Sequence, residues 1–258
     1  MNLALIQSIY QGALIMLRIT GLFLTAPFFG SKVIPKRIKA GLVFLLTLVL
    51  KSVVDSNNLE LPANILMLLF NFLSELTIGL IFGFITILIF ASIQLAGQMI
   101  SMRMGLAMAN IMDPTNGSSI AVIGQFKNVL ATLFFLVING HHHLLRALKH
   151  SFDVIPLTGL SLSDALFMKL LRMAGDLFPL AFQIALPIIA VLFLTDVAFG
   201  LVARTVPQMN VFVMGLPTKL LVGTFLLFIT IPVYISLLRG LFNDLFISLD
   251  KIISILGN

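Results

Sequence analysis

The chain has 258 residues, 59% of them hydrophobic and only 10% charged. Its mean hydropathy of +1.12 excludes a water-soluble globular domain, whose interior is too small to hide so much apolar surface. The 16 basic and 10 acidic residues give a net charge of +6, and the basic ones are scattered rather than striped, which fits loops facing anionic lipid and argues against a nucleic-acid partner.

Cysteine is absent, so a disulfide framework, a thiolate metal site and cysteine catalysis are excluded. No polar linker long enough to separate two folding units interrupts the chain, which therefore reads as a single domain over residues 1–258.

From the N-terminus, MNLALIQSIYQGALIML carries no positive side chain before Arg18. The charged start of a cleavable signal is missing, and the N-terminus is expected to be kept. Six stretches are apolar over about 20 residues, enough to cross about 30 Å of hydrocarbon: Leu3–Phe29, Ile38–Val54, Ile65–Ala96, Ile120–Asn139, Leu177–Ala203 and Val211–Leu238. In lipid each must be helical, because open strands would leave backbone groups unpaired. The expected fold is an all-α integral membrane protein.

Two connections are long, Gly97–Ser119 and Gly140–Asp176. The second contains SDALFMKLLRMAGD, where Ser163 or Asp164 is placed to cap and Leu166, Leu170 and Met173 share a face. It reads as an amphipathic connector lying on a protein or membrane surface. Lys32, Lys36, Arg37 and Lys39 argue for a cytoplasmic loop, yet six alternating spans place Arg146, Lys149, Lys169 and Arg172 on the other side. Either one segment does not cross, or the helices are not a simple serpentine in lipid.

Five apolar segments hold an ionisable residue well inside: Arg18, Glu75, Lys127, Asp196 and Lys219. Each costs about 2.5–3.5 kcal/mol at a helix centre, so these side chains must face protein or water. They either pair with one another to hold the fold or line a conducting path. Pro27, Pro35, Pro62, Pro179, Pro187, Pro207, Pro217 and Pro232 fall in or beside these segments, and predict broken helices covered by neighbouring protein or a water-filled cavity.

In GQMISMRMGLAMANIMDPTNGSS, Asp-Pro followed by Asn-Gly makes a turn at Asp113–Ser119. Met104, Met108 and Met112 share one face if the run ahead of it is helical. Such a stripe is either core filler or an adaptable gasket. His141-His142-His143 diverge by about 100° per residue on a helix and cannot converge on one ion. Phosphate loops, GxSxG and HExxH are missing from the sequence, so neither an enzyme nor a cofactor or metal site is expected.

Three blocks carry a resemblance over nearly the whole chain. RITGLFLTAPFFGSKVIPKRIKAGL has Arg18, Gly21, Pro27, Gly30, Pro35 and Arg37 in place. The middle block runs from GQMISMRMGLAMANIMDPTNGSS through GQFKNVLATLFFLVINGHHHLLRAL, with Gly97, Gln98, Gly105, Asp113, Pro114, Phe126, Gly140, His141 and His142. LTDVAFGLVARTVPQMNVFVMGLPTKLLVG carries Asp196, Gly200, Arg204, Pro207, Gln208, Asn210, Phe212, Pro217 and Lys219. These blocks resemble the FliR family of type III secretion export gate proteins. Arg103, where an uncharged residue is usual, and a histidine run one longer than the usual pair are departures.

The resemblance implies a subunit of the flagellar export gate, assembled with FliP and FliQ homologues beside FlhB and FlhA. Its setting would be the inner membrane, in the flagellar basal body, where unfolded flagellar proteins pass. It implies a FliP-like part over about 1–176 and a FliQ-like hairpin with the C-terminus over 177–258. It places a plug on Asn110, Ile111, Met112, Asp113, Pro114, Thr115, Asn116, Gly117, Ser118 and Ser119, with Met102, Met104 and Met108 on the pore side. Arg18, Glu75, Lys127, Asp196, Arg204, Gln208, Asn210 and Lys219 are then buried polar or subunit-packing residues.

Alternatives are the homologous subunit of a virulence injectisome, a passive scaffold, and a secondary transporter relaying protons through Glu75 and Asp196. The two halves of the sequence show no internal repeat, which weighs against the transporter.

Overall fold

The computed structural model describes residues 3–31, 33–54, 59–106, 122–206, 208 and 210–257. Eight α-helices and no strand occur among the described residues: α1 Leu3–Thr25, α2 Lys36–Lys51, α3 Ile65–Arg103, α4 Val122–Val137, α5 Gly140–Val154, α6 Asp164–Thr205, α7 Val211–Ile229 and α8 Ile231–Leu256. The all-α membrane architecture follows from the apolar runs, which satisfy their backbone groups within one segment only as helices.

The spans differ in number from the six expected. Four helices, α1, α3, α6 and α8, are long and apolar enough to cross a membrane, and a fifth span results if α4 and α5 are joined. α2 is too short and too charged: its 16 residues begin with Lys36, Arg37 and Lys39 and rise about 24 Å. α4 and α5 meet at a 65° bend where Asn139 takes a left-handed conformation, φ 58°, which asparagine tolerates better than most residues. The sixth expected segment is likewise divided, α7 ending at Ile229 and α8 beginning at Ile231.

The connector SDALFMKLLRMAGD is not a separate surface helix but the first turns of α6, which runs unbroken through Pro179 and Pro187. Each proline removes one intrahelical N–H, yet the helix continues, as does α7 through Pro217. The breaks therefore fall at Asn139 and Thr230, not at these prolines. With 39 and 42 residues, α3 and α6 rise about 58 and 63 Å, far more than about 30 Å of hydrocarbon requires at ordinary tilts.

The chain clusters into two compact units, one of residues 1–88, 138–174 and 242–258, the other of residues 89–137 and 175–241. In the first unit α1 and α3 cross at van der Waals closeness. A Cβ on Gly21 would overlap the Leu76 carbonyl, one on Gly79 the Arg18 carbonyl, and one on Gly83 the Thr25 side chain. The segment after α2 is tied to α1 by Gln11 Nε2 donating to Val54 O at 3.0 Å and Gln7 Nε2 to Leu59 O at 2.9 Å. In the second unit α3 and α4 cross where a Cβ on Gly97 would overlap Gly124 Cα.

Candidate functional site

Four of the five internal charges form two ion pairs, Arg18 with Glu75 and Asp196 with Lys219. In the first unit Arg18 and Glu75, both with no exposed side-chain surface, meet through Nε–Oε2 at 2.7 Å and Nη2–Oε1 at 3.2 Å. The guanidinium also donates from Nη1 to Ser151 O and Oγ at 3.1 and 3.2 Å, and from both Nη atoms to Ile155 O at 3.3 Å. Ser151 O also accepts from Ile155 N at 2.8 Å, and Ile155 is the C-cap residue of α5, so Arg18 acts as a cation at the negative end of the helix, where the last carbonyls collect. Its charged plane lies 4.2 Å from the centre of the Phe152 ring.

Glu75 Oε1 accepts a second bond, from Thr158 N at 2.8 Å. Thr158 has φ 70°, an unusual conformation for a β-branched residue. One ion pair thus joins α1, α3, the end of α5 and the connection to α6. Ser151 and Thr158 carry no signal in the sequence, since nothing local marks a residue whose role is to meet a charge 133 or 83 positions earlier in the chain. The tight crossing beside it had a readable signal, the GLIFG spacing of Gly79 and Gly83 on α3.

In the second unit Asp196 on α6 and Lys219 on α7 form an ion pair. Lys127 on α4 is 4% exposed, and among the described residues it has no carboxylate partner. Its ammonium instead lies 4.0 Å from the centre of the Tyr234 ring of α8, and Tyr234 Oη donates to Lys127 O at 2.9 Å. Asn128 Nδ2 donates to Gln94 Oε1 at 2.6 Å across the Gly97–Gly124 crossing.

Of the residues expected to be buried or to pack against subunits, Arg204, Gln208 and Asn210 are exposed on this chain by itself. They fall at and just after the end of α6, where none of the described residues covers them. Asn210 Oδ1 accepts from Val213 N at 3.3 Å, capping α7.

The methionine run begins in the last turn of α3. α3 stops at Arg103, and Leu106 N bonds Ser101 O while Gly105 N bonds Met102 O. Gly105 sits at φ 84°. That is a Schellman end, and glycine adopts its left-handed position without a Cβ penalty. Met104 therefore lies past the last residue of α3, and Met112, like Met108, lies outside the described residues.

Met104 is 1% exposed, packed against α7 at Gly223, whereas Met102 is 55% exposed. Of these two, only Met102 presents itself at the surface. Met108 and the plug residues Asn110 to Ser119 lie outside the described residues. The histidine run forms the start of α5, with the His141 and His142 rings tilted against each other at 4.1 Å and the His143 ring stacked 4.4 Å from that of Phe246.

Comparison with known proteins covers nearly the whole chain. The model of the family described as bacterial export proteins, family 1, matches residues 9–245. The chain is 35% identical over 248 residues to the flagellar biosynthetic protein FliR of Bacillus subtilis (strain 168), covering 95% of each. It is 32% identical over 239 residues to that of Escherichia coli (strain K12), covering 93% of this chain and 91% of the other. For Aquifex aeolicus (strain VF5) the identity is 28% over 229 residues, 89% and 88% of the two chains. An all-α membrane protein similar to these proteins along nearly its whole length, the chain belongs to bacterial export proteins, family 1, the FliR family.

Proposed function

We propose that this chain is a subunit of the flagellar type III export gate, where it helps to form and to plug the pore through which unfolded flagellar proteins are secreted. The observation that carries the reading is the family match over residues 9–245, which includes the Asp113–Ser119 turn and both helices flanking it. The chain works without catalysis, by occupying and vacating a passage.

The subunit assembles in the bacterial inner membrane, within the flagellar basal body, with FliP and FliQ homologues and beside FlhB and FlhA. Residues 1–176 take the FliP-like place and 177–258 the FliQ-like place. Asn110 to Ser119 form the plug, with Met102 and Met108 on its pore side and Met104 holding its base. Two features support burial among partners: α3 and α6 exceed the hydrocarbon thickness, and Phe178, Leu194 and Leu201 along α6 are exposed on this chain. Arg204, Gln208 and Asn210, exposed here, pack against a neighbouring subunit.

Deleting Asp113–Ser119 from the chain co-expressed with its partners tests the assignment. The closed complex is expected to leak small ions; a complex as tight as the unaltered one refutes the plug.

A further inference from the structure

Five basic side chains of α5 take no part in the ion pairs that join the helices. Gly140, Leu144, Leu148, Ser151 and Phe152 form its buried side, whereas His142, His143, Arg146, Lys149 and His150 are exposed. Positions 142, 146 and 149 are four and three residues apart and share one helix face. Together with Leu145 they line a cavity of about 390 Å³, and no carboxylate among the described residues lines it. Arg146 also reaches a second cavity of about 190 Å³ between α5 and α8, lined by His143, His150, Phe246 and Asp250 among others. The His143 ring, stacked 4.4 Å from that of Phe246, fixes the wall between the two helices.

These charges are unequally satisfied. Lys149 Nζ donates to Asp153 Oδ2 at 2.9 Å, and His150 Nδ1 lies 4.0 Å from the same oxygen. Arg146 forms no ion pair among the described residues. Exposed charges cannot face hydrocarbon, and cations stacked along one helix face repel each other; an anion in the larger cavity relieves the repulsion. A phosphate suits this donor set, because the guanidinium offers a planar fork to two oxygens, the ammonium a compact charge and the imidazole a further N–H. The cavity lies within the range of about 300–1,000 Å³ common for ligand sites, and Leu145 supplies an apolar wall. For a chain embedded in a membrane the phosphate at hand is that of a lipid. We infer that the cavity over His142, Arg146 and Lys149 is a headgroup site for an anionic phospholipid, with Arg146 as its anchoring residue.

The test mixes the full chain in neutral detergent, alone and in the co-expressed complex, with phosphatidylglycerol or with phosphatidylcholine, whose choline cation the site repels. Bound lipid is counted by native mass spectrometry. Phosphatidylglycerol is expected to be retained about tenfold better, the weight of one charge-assisted hydrogen bond. Arg146→Gln leaves the Lys149–Asp153 pair intact and is expected to remove most of that preference with the helix melt unchanged, since an exposed side chain outside any ion pair contributes little to the fold. Arg146→Lys keeps the charge but not the fork, and is expected to retain a reduced preference.

Equal retention of the two lipids overturns the inference, as does a preference that survives Arg146→Gln combined with Lys149→Gln. Displacement of phosphatidylglycerol by equimolar inorganic phosphate would make this a site for the free ion and overturn the lipid assignment. A preference present in the chain alone and lost in the complex would show that a partner protein covers this face, and also overturns it.

Discussion

Replacing Glu75 with alanine leaves the Arg18 guanidinium in a site with no exposed surface and no counter-charge. Arg18 would keep its bonds to Ser151 and Ile155 but lose the bidentate contacts at 2.7 and 3.2 Å, and Thr158 N would lose its acceptor at 2.8 Å. Breaking a buried pair from one side costs about 3–5 kcal/mol, and an orphaned buried amide adds about 1–3 kcal/mol. Glu75→Ala should therefore remove a large share of a stability that is about 5–15 kcal/mol for a typical protein.

The arginine side tests the same reasoning. Arg18→Met removes the charge together with the cap on α5, and the double variant Arg18→Met with Glu75→Ala removes both charges, which is far less costly than stranding one. The single effects should therefore exceed the double effect when summed, with a coupling of about 2 kcal/mol or more in a double-mutant cycle. Far-UV circular dichroism melts of the purified protein in detergent report the helices α1, α3 and α5 that meet at this pair. Single effects that add to within about 0.5 kcal/mol would show that the pair does not join these helices.

Further outcomes follow from the same geometry. Gly79→Ala places a methyl group into the Arg18 carbonyl and should abolish accumulation of folded protein in membranes, whereas Gly41→Ala on α2, where a Cβ meets nothing, should raise stability by up to about 1 kcal/mol, both read by protease resistance in detergent. Tyr234→Phe removes only the hydroxyl bond to Lys127 O and should cost about 1 kcal/mol in the same melt. Reversing the Asp196 and Lys219 pair should impair export in either single charge change and recover it in the double swap, measured by secretion of flagellar protein; no recovery would mean that the two side chains act separately.

Helical class and membrane location were legible from hydropathy because both depend on short windows of sequence, and lipid permits an apolar segment one backbone solution. The same reasoning found every internal charge, since any charge inside a long apolar run must be compensated. The positions of Gly21, Gly97 and Gly105 in the recurring blocks also matched places where a backbone crossing or a left-handed residue excludes a Cβ.

Partnership was not legible. Arg18 meets Glu75 across 57 positions and Ser151 across 133, and no local pattern distinguishes this pairing from one with Asp196. Helix limits were only partly readable: nothing in the composition said that α6 would run on through two prolines, or that the chain would bend at Asn139 instead. The methionine run shows the same division. Its sequence showed an apolar, methionine-rich stretch ahead of turn-forming residues, but only the tertiary structure decided that Met104 is buried against Gly223 while Met102 faces out. The physical reason is that periodicity fixes the direction of a side chain relative to its own helix, whereas burial depends on which distant backbone leaves room for it.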